Sequence, residues 1–164
     1  MGAVYFYHLT RHPLEATLPA LLAKARAAGW RVAVRGRDAA RLQWLDEKLW
    51  LGPEEDFLPH GLAGGAHDAR QPVLLTTSRE AANAPDCLMA IDGADVSPEE
   101  VGRLARVCVL FDGNDAAAVQ LAREQWRALT GAGCAAQYWS EASGRWEMQA
   151  ETAQDRAPDT SSCQ

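Results

Sequence analysis

A chain of 164 residues, 48% apolar and 23% charged, carries enough apolar surface for one core, which excludes a fibrous or wholly disordered protein. With 16 Lys and Arg against 22 Asp and Glu, the net charge of −6 excludes a broad basic face for duplex nucleic acid, because phosphate neutralisation needs clustered cations. The 4 cysteines, Cys87, Cys108, Cys134 and Cys163, are far apart and form no CxxC pair, so neither a disulfide framework nor a zinc site is expected and a reduced, cytoplasmic setting is.

The opening MGAVYFYHLTRHP has no basic segment ahead of its short apolar run, unlike a signal sequence, and no stretch of the chain approaches a membrane span. Ala3 to Leu9 is β-branched and aromatic, stopped by Thr10-Arg11-His12-Pro13, and reads as a buried strand. Pro13 suits a first helical turn, and Leu14, Leu18, Leu21, Leu22 and Ala25 then trace one helix face that ends at Gly29. Trp30 to Val34 follows as a strand, and Asp38 caps a second helix running to about Leu51. Alternating strand and helix predicts a parallel sheet.

From Gly52 to Pro72 the glycines and prolines leave no periodicity, which predicts a long connecting loop of the kind that carries function. Val73 to Thr77 and Cys87 to Ile91 are strands, and Ser97-Pro98-Glu99-Glu100 is a capping box that starts a helix. Ala105 to Phe111 is a strand that runs into Asp112-Gly113-Asn114-Asp115, an echo of Asp92-Gly93-Ala94-Asp95, and opens a helix to about Thr130. Cys134 to Trp139 with Arg145 to Met148 predicts a terminal hairpin at the sheet edge. The expected organisation is one domain, 1–149, with a polar, mobile tail, 150–164.

A parallel sheet invites a nucleotide, but the motifs are missing: His8-Leu9-Thr10-Arg11 stands where a GxGxxG would follow the first strand, and there is no GxxxxGK[ST]. Gly61-Leu62-Ala63-Gly64-Gly65 lacks the strand before it and the helix after it, and the carboxylates of Asp112 and Asp115 repel phosphate and suit helix capping. His8 and His12 sit at a strand end rather than on a helix, so no metal is expected there; His60 and His67 are expected as hydrogen-bonded loop residues and Cys108 as a small buried hydrophobe. No catalytic set and no cofactor site emerge.

Aromatics outside the expected core say more. Leu42, Leu45 and Leu49 form a stripe on the second helix; Trp50 falls about a quarter turn off it and precedes the loop bearing Phe57, which predicts a protein interface. On the last helix Ala118, Val119, Ala122, Trp126 and Leu129 form the core face, with Trp126 at its margin and Arg123 and Arg127 on the flank beside it. An indole between two guanidiniums suits a short acidic peptide with an aromatic end; Glu124 as an ion-pair partner on a solvated face is the competing reading.

The run Arg41-Leu42-Gln43-Trp44-Leu45-Asp46-Glu47-Lys48-Leu49-Trp50, continued by Phe57-Leu58-Pro59-His60-Gly61-Leu62-Ala63-Gly64, resembles the chi subunit of bacterial DNA polymerase III. So do Gln120 to Arg127 and the aromatic opening strand, and the likeness runs in order over about residues 3 to 148. The resemblance implies a three-layer α/β/α sandwich with a mostly parallel central sheet, Rossmann-like without a nucleotide-binding loop. It also implies a non-catalytic accessory subunit associated with the clamp loader, bridging the psi subunit and the acidic, Phe-ended tail of single-stranded DNA-binding protein. Trp50 and Phe57 match the psi-facing surface, which the resemblance also offers to a helicase. Arg123, Trp126 and Arg127, with Phe111 and Asp112 nearby, match the tail site.

Val119 and Thr130 stand where some relatives carry basic residues, and Asp112 replaces an apolar neighbour; each change weakens attraction for an acidic tail, so micromolar or weaker binding is expected. Direct DNA contact is expected to be weak. The alternative from another class is a small enzyme or sensor that binds a mononucleotide at the carboxyl edge of the sheet.

Overall fold

The computed structural model describes residues 3–50, 60–65, 68–78, 81–141 and 146–152, apart from the side chains of Trp50 and Thr152. The elements are β1 (Ala3–Leu9), α1 (Leu14–Ala27), β2 (Val32–Arg35), α2 (Ala39–Trp50), β3 (Gly61–Leu62), β4 (Val73–Thr76), β5 (Cys87–Ile91), α3 (Pro98–Arg103), β6 (Arg106–Asp112), α4 (Ala116–Gly131), β7 (Ala135–Ser140) and β8 (Glu147–Thr152). They build an 8-stranded sheet of order β3-β4-β2-β5-β6-β1-β7-β8, parallel except where β8 runs antiparallel to β7. Helices lie on both faces, giving the three-layer sandwich of mixed α/β class.

Because both faces are covered, the central strands are apolar throughout rather than alternating. Val32, Val34, Leu75, Met89 and Leu110 face one core with Leu18, Leu22 and Leu45 of α1 and α2. Val4, Phe6, Leu88, Val109 and Phe111 face the other with Val101 of α3 and with Ala122 and Leu129 of α4. Short-range signals act as expected. Ser97 and Glu100 form the capping box of α3, and the Asp115 carboxylate accepts the N–H groups of Ala117 and Ala118 at the start of α4. Cys108 is buried in the first core, and His60 is buried with its Nε2 3.1 Å from Asp46 Oδ1.

Four expectations shift. Pro13 is the N-cap of α1 rather than a residue of its first turn. The Trp30 N–H bonds back to the Ala25 carbonyl across Gly29, whose φ is +83°, so Trp30 finishes the helix and the second strand begins at Val32. Within 52–72 a parallel strand, β3, pairs Gly61 with Leu74 and Leu62 with Leu75, and a 3-10 turn covers Asp68–Arg70. Two residues are too few for a pattern; the pairing comes from β4. Finally, β8 carries Ala150, Glu151 and Thr152 into the sheet, past the expected domain end at 149. Among the described residues no helix is long and apolar enough to cross a membrane.

Candidate functional site

Strands β6 and β1 are neighbours whose connections leave in opposite directions, β1 toward β2 and β6 toward β7. In open parallel sheets that divergence makes the ligand crevice at the carboxyl ends. A crevice of about 620 Å³ lies there, reached by Arg11, Arg41, Phe111, Asp112 and Asp115. Several of its anion-binding groups are already taken by the protein. In the turn between β1 and α1, the N–H groups of Thr10, Arg11 and His12 all donate to Glu141 Oε2 at 3.1, 3.0 and 3.0 Å. His12 Nδ1 lies 2.9 Å from the other oxygen. Three converging backbone donors are a nest that would hold a phosphate, and a buried side-chain carboxylate fills it. Burial alone would raise the Glu141 carboxyl, but the His12 side chain and the three backbone donors hold it below the usual carboxylate range. Asp115 occupies the N-terminus of α4, Asp112 accepts from the Asn114 N–H at 2.9 Å, and Arg41 is paired with Asp92. The glycine-rich stretch is also occupied: Asp68 accepts from the Gly64 and Gly65 N–H groups.

A second groove, of about 490 Å³, opens between α4 and the β1-β7-β8 side of the sheet. Trp126 is its half-buried wall. The indole meets the Phe6 ring edge-on at 5.4 Å and the Tyr138 ring at 5.9 Å, so it is held by the core on one side and open on the other. Arg123 and Arg127, one turn before and just after it on α4, line the groove and are exposed. No described carboxylate pairs with either; Glu124 instead accepts from Gln120 at 3.3 Å, against the competing reading of a self-paired helix face.

The other side of the groove is a parallel-sheet register effect. Phe6 pairs with Tyr138 and His8 with Ser140 and Phe111, which brings His8, Phe111 and Tyr138 to one face. His8 Nδ1 and Tyr138 Oη are 2.9 Å apart, and the Phe111 ring lies 5.1 Å from His8 and 5.9 Å from Tyr138. Burial pushes the Tyr138 phenol up, against the pull of the Arg123 guanidinium, so the hydroxyl keeps its proton at neutral pH.

Of the residues expected at this site, Arg123, Trp126 and Arg127 converge on one groove. Phe111 is buried beneath it, and Phe111 and Asp112 line the neighbouring crevice instead. Trp50 ends α2, and its side chain, like all of Phe57, lies outside the described residues. On the same helix Trp44 is half-buried, with the Arg41 guanidinium 4.5 Å and the Lys48 ammonium 5.5 Å from its ring. Sequence reasoning missed His8, Tyr138 and Glu141. Alternation along β1 could have set His8 on the Phe6 face; no local signal marks Glu141.

A nucleotide-type sheet whose β1–α1 nest is filled from within thus stands beside an open aromatic groove with two arginines. The DNA polymerase III chi subunit, HolC, family model matches residues 1–137. The chain belongs to that family, whose role is that of an accessory subunit of the polymerase. Comparison with curated proteins finds no match.

Proposed function

We propose that this chain is a non-catalytic bridge in the DNA polymerase III holoenzyme. The groove of Arg123, Trp126 and Arg127 takes the acidic, Phe-ended tail of single-stranded DNA-binding protein, and the end of α2, with Trp50 and the Phe57 segment, holds psi. Holding both at once keeps the polymerase near coated template by effective concentration, with only weak or indirect contact to DNA. The observation that carries the reading is the pair of exposed arginines on either side of a half-buried indole, without a described carboxylate to neutralise them. A tail supplies what is missing: an apolar ring for the indole and carboxylates for the two guanidinium forks. Family membership supports the accessory role. Thr130, whose hydroxyl is bound to the Trp126 carbonyl at 2.7 Å, adds no charge, consistent with modest affinity.

Calorimetry with a synthetic acidic peptide ending in Phe is expected to give micromolar binding to the wild-type chain. Arg123→Ala should lose about 30-fold or more, the scale of a hot-spot truncation, while its melting temperature stays unchanged. Full binding by that variant, or none by the wild type, overturns the groove assignment. A thermal-shift series with ATP, GTP and NAD beside the peptide tests the mononucleotide reading, since only a ligand of the native state raises the melting point by mass action. The filled nest predicts a shift with the peptide alone.

Trp50→Ala is expected to release psi in co-purification while leaving the peptide affinity within about twofold, because the two surfaces lie on different helices. Retention of psi by this variant would remove Trp50 from the interface.

A further inference from the structure

Resting on the reading that the α4 groove takes a peptide with a free carboxylate, we propose that His8 and Tyr138 are a third anchoring point for that carboxylate, and that they make docking tighter as pH falls. Both side chains line the groove with Arg123, Trp126 and Arg127, over a core that holds the buried Phe6 and Phe111. The Tyr138 end of the pair lies just beyond the residues matched by the family model.

The chemistry turns on one proton. With 2.9 Å between His8 Nδ1 and Tyr138 Oη, a single hydrogen lies between them. When the phenol donates it, the hydroxyl is spent inside the protein and presents only lone pairs to the groove, which a carboxylate avoids. When Nδ1 carries the proton, Oη becomes the acceptor and its own hydrogen is free to point at the ligand. An imidazolium enforces the second arrangement and adds a positive charge to the wall. The ring has little freedom to escape this choice. It lies tilted against the Phe111 ring, and a Cβ at Gly113 would run into it, so the glycine turn after β6 is shaped around the imidazole.

The charged and titratable groups around His8 set the direction. Arg123 and Arg127 of α4 put positive charge on the same groove, Tyr138 on β7 is neutral, and Gln149 and Ala150 of β8 carry no charge, while Asp112 of β6 lines the neighbouring crevice. Glu141 at the end of β7 is committed to His12 and its neighbouring N–H groups. A ligand carboxylate neutralises the two arginines and accepts from Tyr138, so it favours the protonated imidazole. By reciprocity, protonation favours the ligand. The bound state therefore holds more protons than the free state, and affinity falls as pH rises through the range in which imidazoles titrate. The carboxylates of the peptide stay ionised throughout that range.

Calorimetry of the full chain with a synthetic acidic peptide ending in Phe, at about pH 6 and about pH 8, tests this directly. The wild type is expected to bind at least about fivefold tighter at the lower pH, with net proton uptake seen in buffers of different ionisation heat. In His8→Gln the affinities at the two pH values should coincide, and in Tyr138→Phe, which keeps the ring and removes the hydroxyl, the difference should shrink to what the imidazolium charge alone supplies. Equal wild-type affinity at both pH values, or a slope that persists in both variants, overturns the clamp and leaves the groove assignment standing. Absence of binding at either pH sinks the groove assignment and the clamp together.

Discussion

Arg35→Met is expected to destabilise the protein by about 3–5 kcal/mol, because it leaves a buried carboxylate without its cation. Arg35 is the last residue of β2, in the middle of the sheet, and its guanidinium reaches Glu100 of α3 in a two-pronged contact, 3.0 Å to Oε1 and 2.5 Å to Oε2. The side chains are only 6% and 8% exposed. The same guanidinium donates to the Asp95 carbonyl at 2.8 Å, and Glu100 also accepts the Ser97 N–H at 3.0 Å, so the pair ties α3 and its capping box to the sheet. With α3 only six residues long, the pair shares that task with the buried Val101 side chain. A loss of this size lowers the melting temperature by about 10 °C in a chain of this length. The double variant Arg35→Met with Glu100→Leu should recover most of the loss, since two apolar residues of similar volume need no desolvation of charge. A single variant that melts within about 2 °C of the wild type would show that the pair contributes little.

The pair also has a pH signature. Burial alone would raise the Glu100 carboxyl, but Arg35 and Ser97 hold it below the usual carboxylate range. A carboxyl depressed in the native state adds stability that is complete above the unfolded value and is lost as pH falls through the folded one. Glu141 behaves in the same sense. Acid unfolding should therefore start from these two groups, and in Glu100→Gln the acid limb of a stability–pH curve should be shallower.

Glu141→Ala is the second large effect, expected at about 2–4 kcal/mol, the scale of leaving charge-bonded donors without an acceptor. Three N–H groups of the β1–α1 turn lose their acceptor at once. His12, whose side chain is 64% exposed, leaves an opening through which solvent can replace part of it. The vacated nest should then behave as the anion site that its geometry describes. Sulfate or phosphate is expected to restore several degrees of melting temperature to the variant, rising with the logarithm of anion concentration, with no comparable effect on the wild type. An identical response of both proteins to sulfate would mean that the donors do not form an anion site when freed. The result matters for function because it tests why a sheet of this class, with its crevice intact, need not bind a nucleotide.

Most elements could be read from the chain alone. The aromatic and β-branched run Ala3–Leu9, the Leu14-Leu18-Leu22-Ala25 stripe and the Ser97–Glu100 capping box all form where expected, and so does the arginine–tryptophan–arginine flank of α4. Each depends on residues no more than a few turns apart. Strand β3 was illegible because two residues gain their conformation from Leu74 and Leu75 rather than from their own propensity. Trp30 looked like strand and served the helix end, because its N–H went to the Ala25 carbonyl. The expected grouping of Phe111 and Asp112 with Arg123 divided between two cavities, since both residues stand at the carboxyl end of β6 and line the crevice there, while Arg123 lines the groove beside α4.

Periodicity, caps and turn residues thus settled which segments are helix or strand, and spacing on one helix set the arginines beside the indole, because those relations are carried by the local backbone. Which distant residues meet was decided by parallel register. His8 reaches Tyr138 across 130 positions, and Glu141 reaches the β1–α1 turn across 129 to 131. No local pattern encodes such a meeting; it follows from strand order, and strand order follows from the burial of both sheet faces at once.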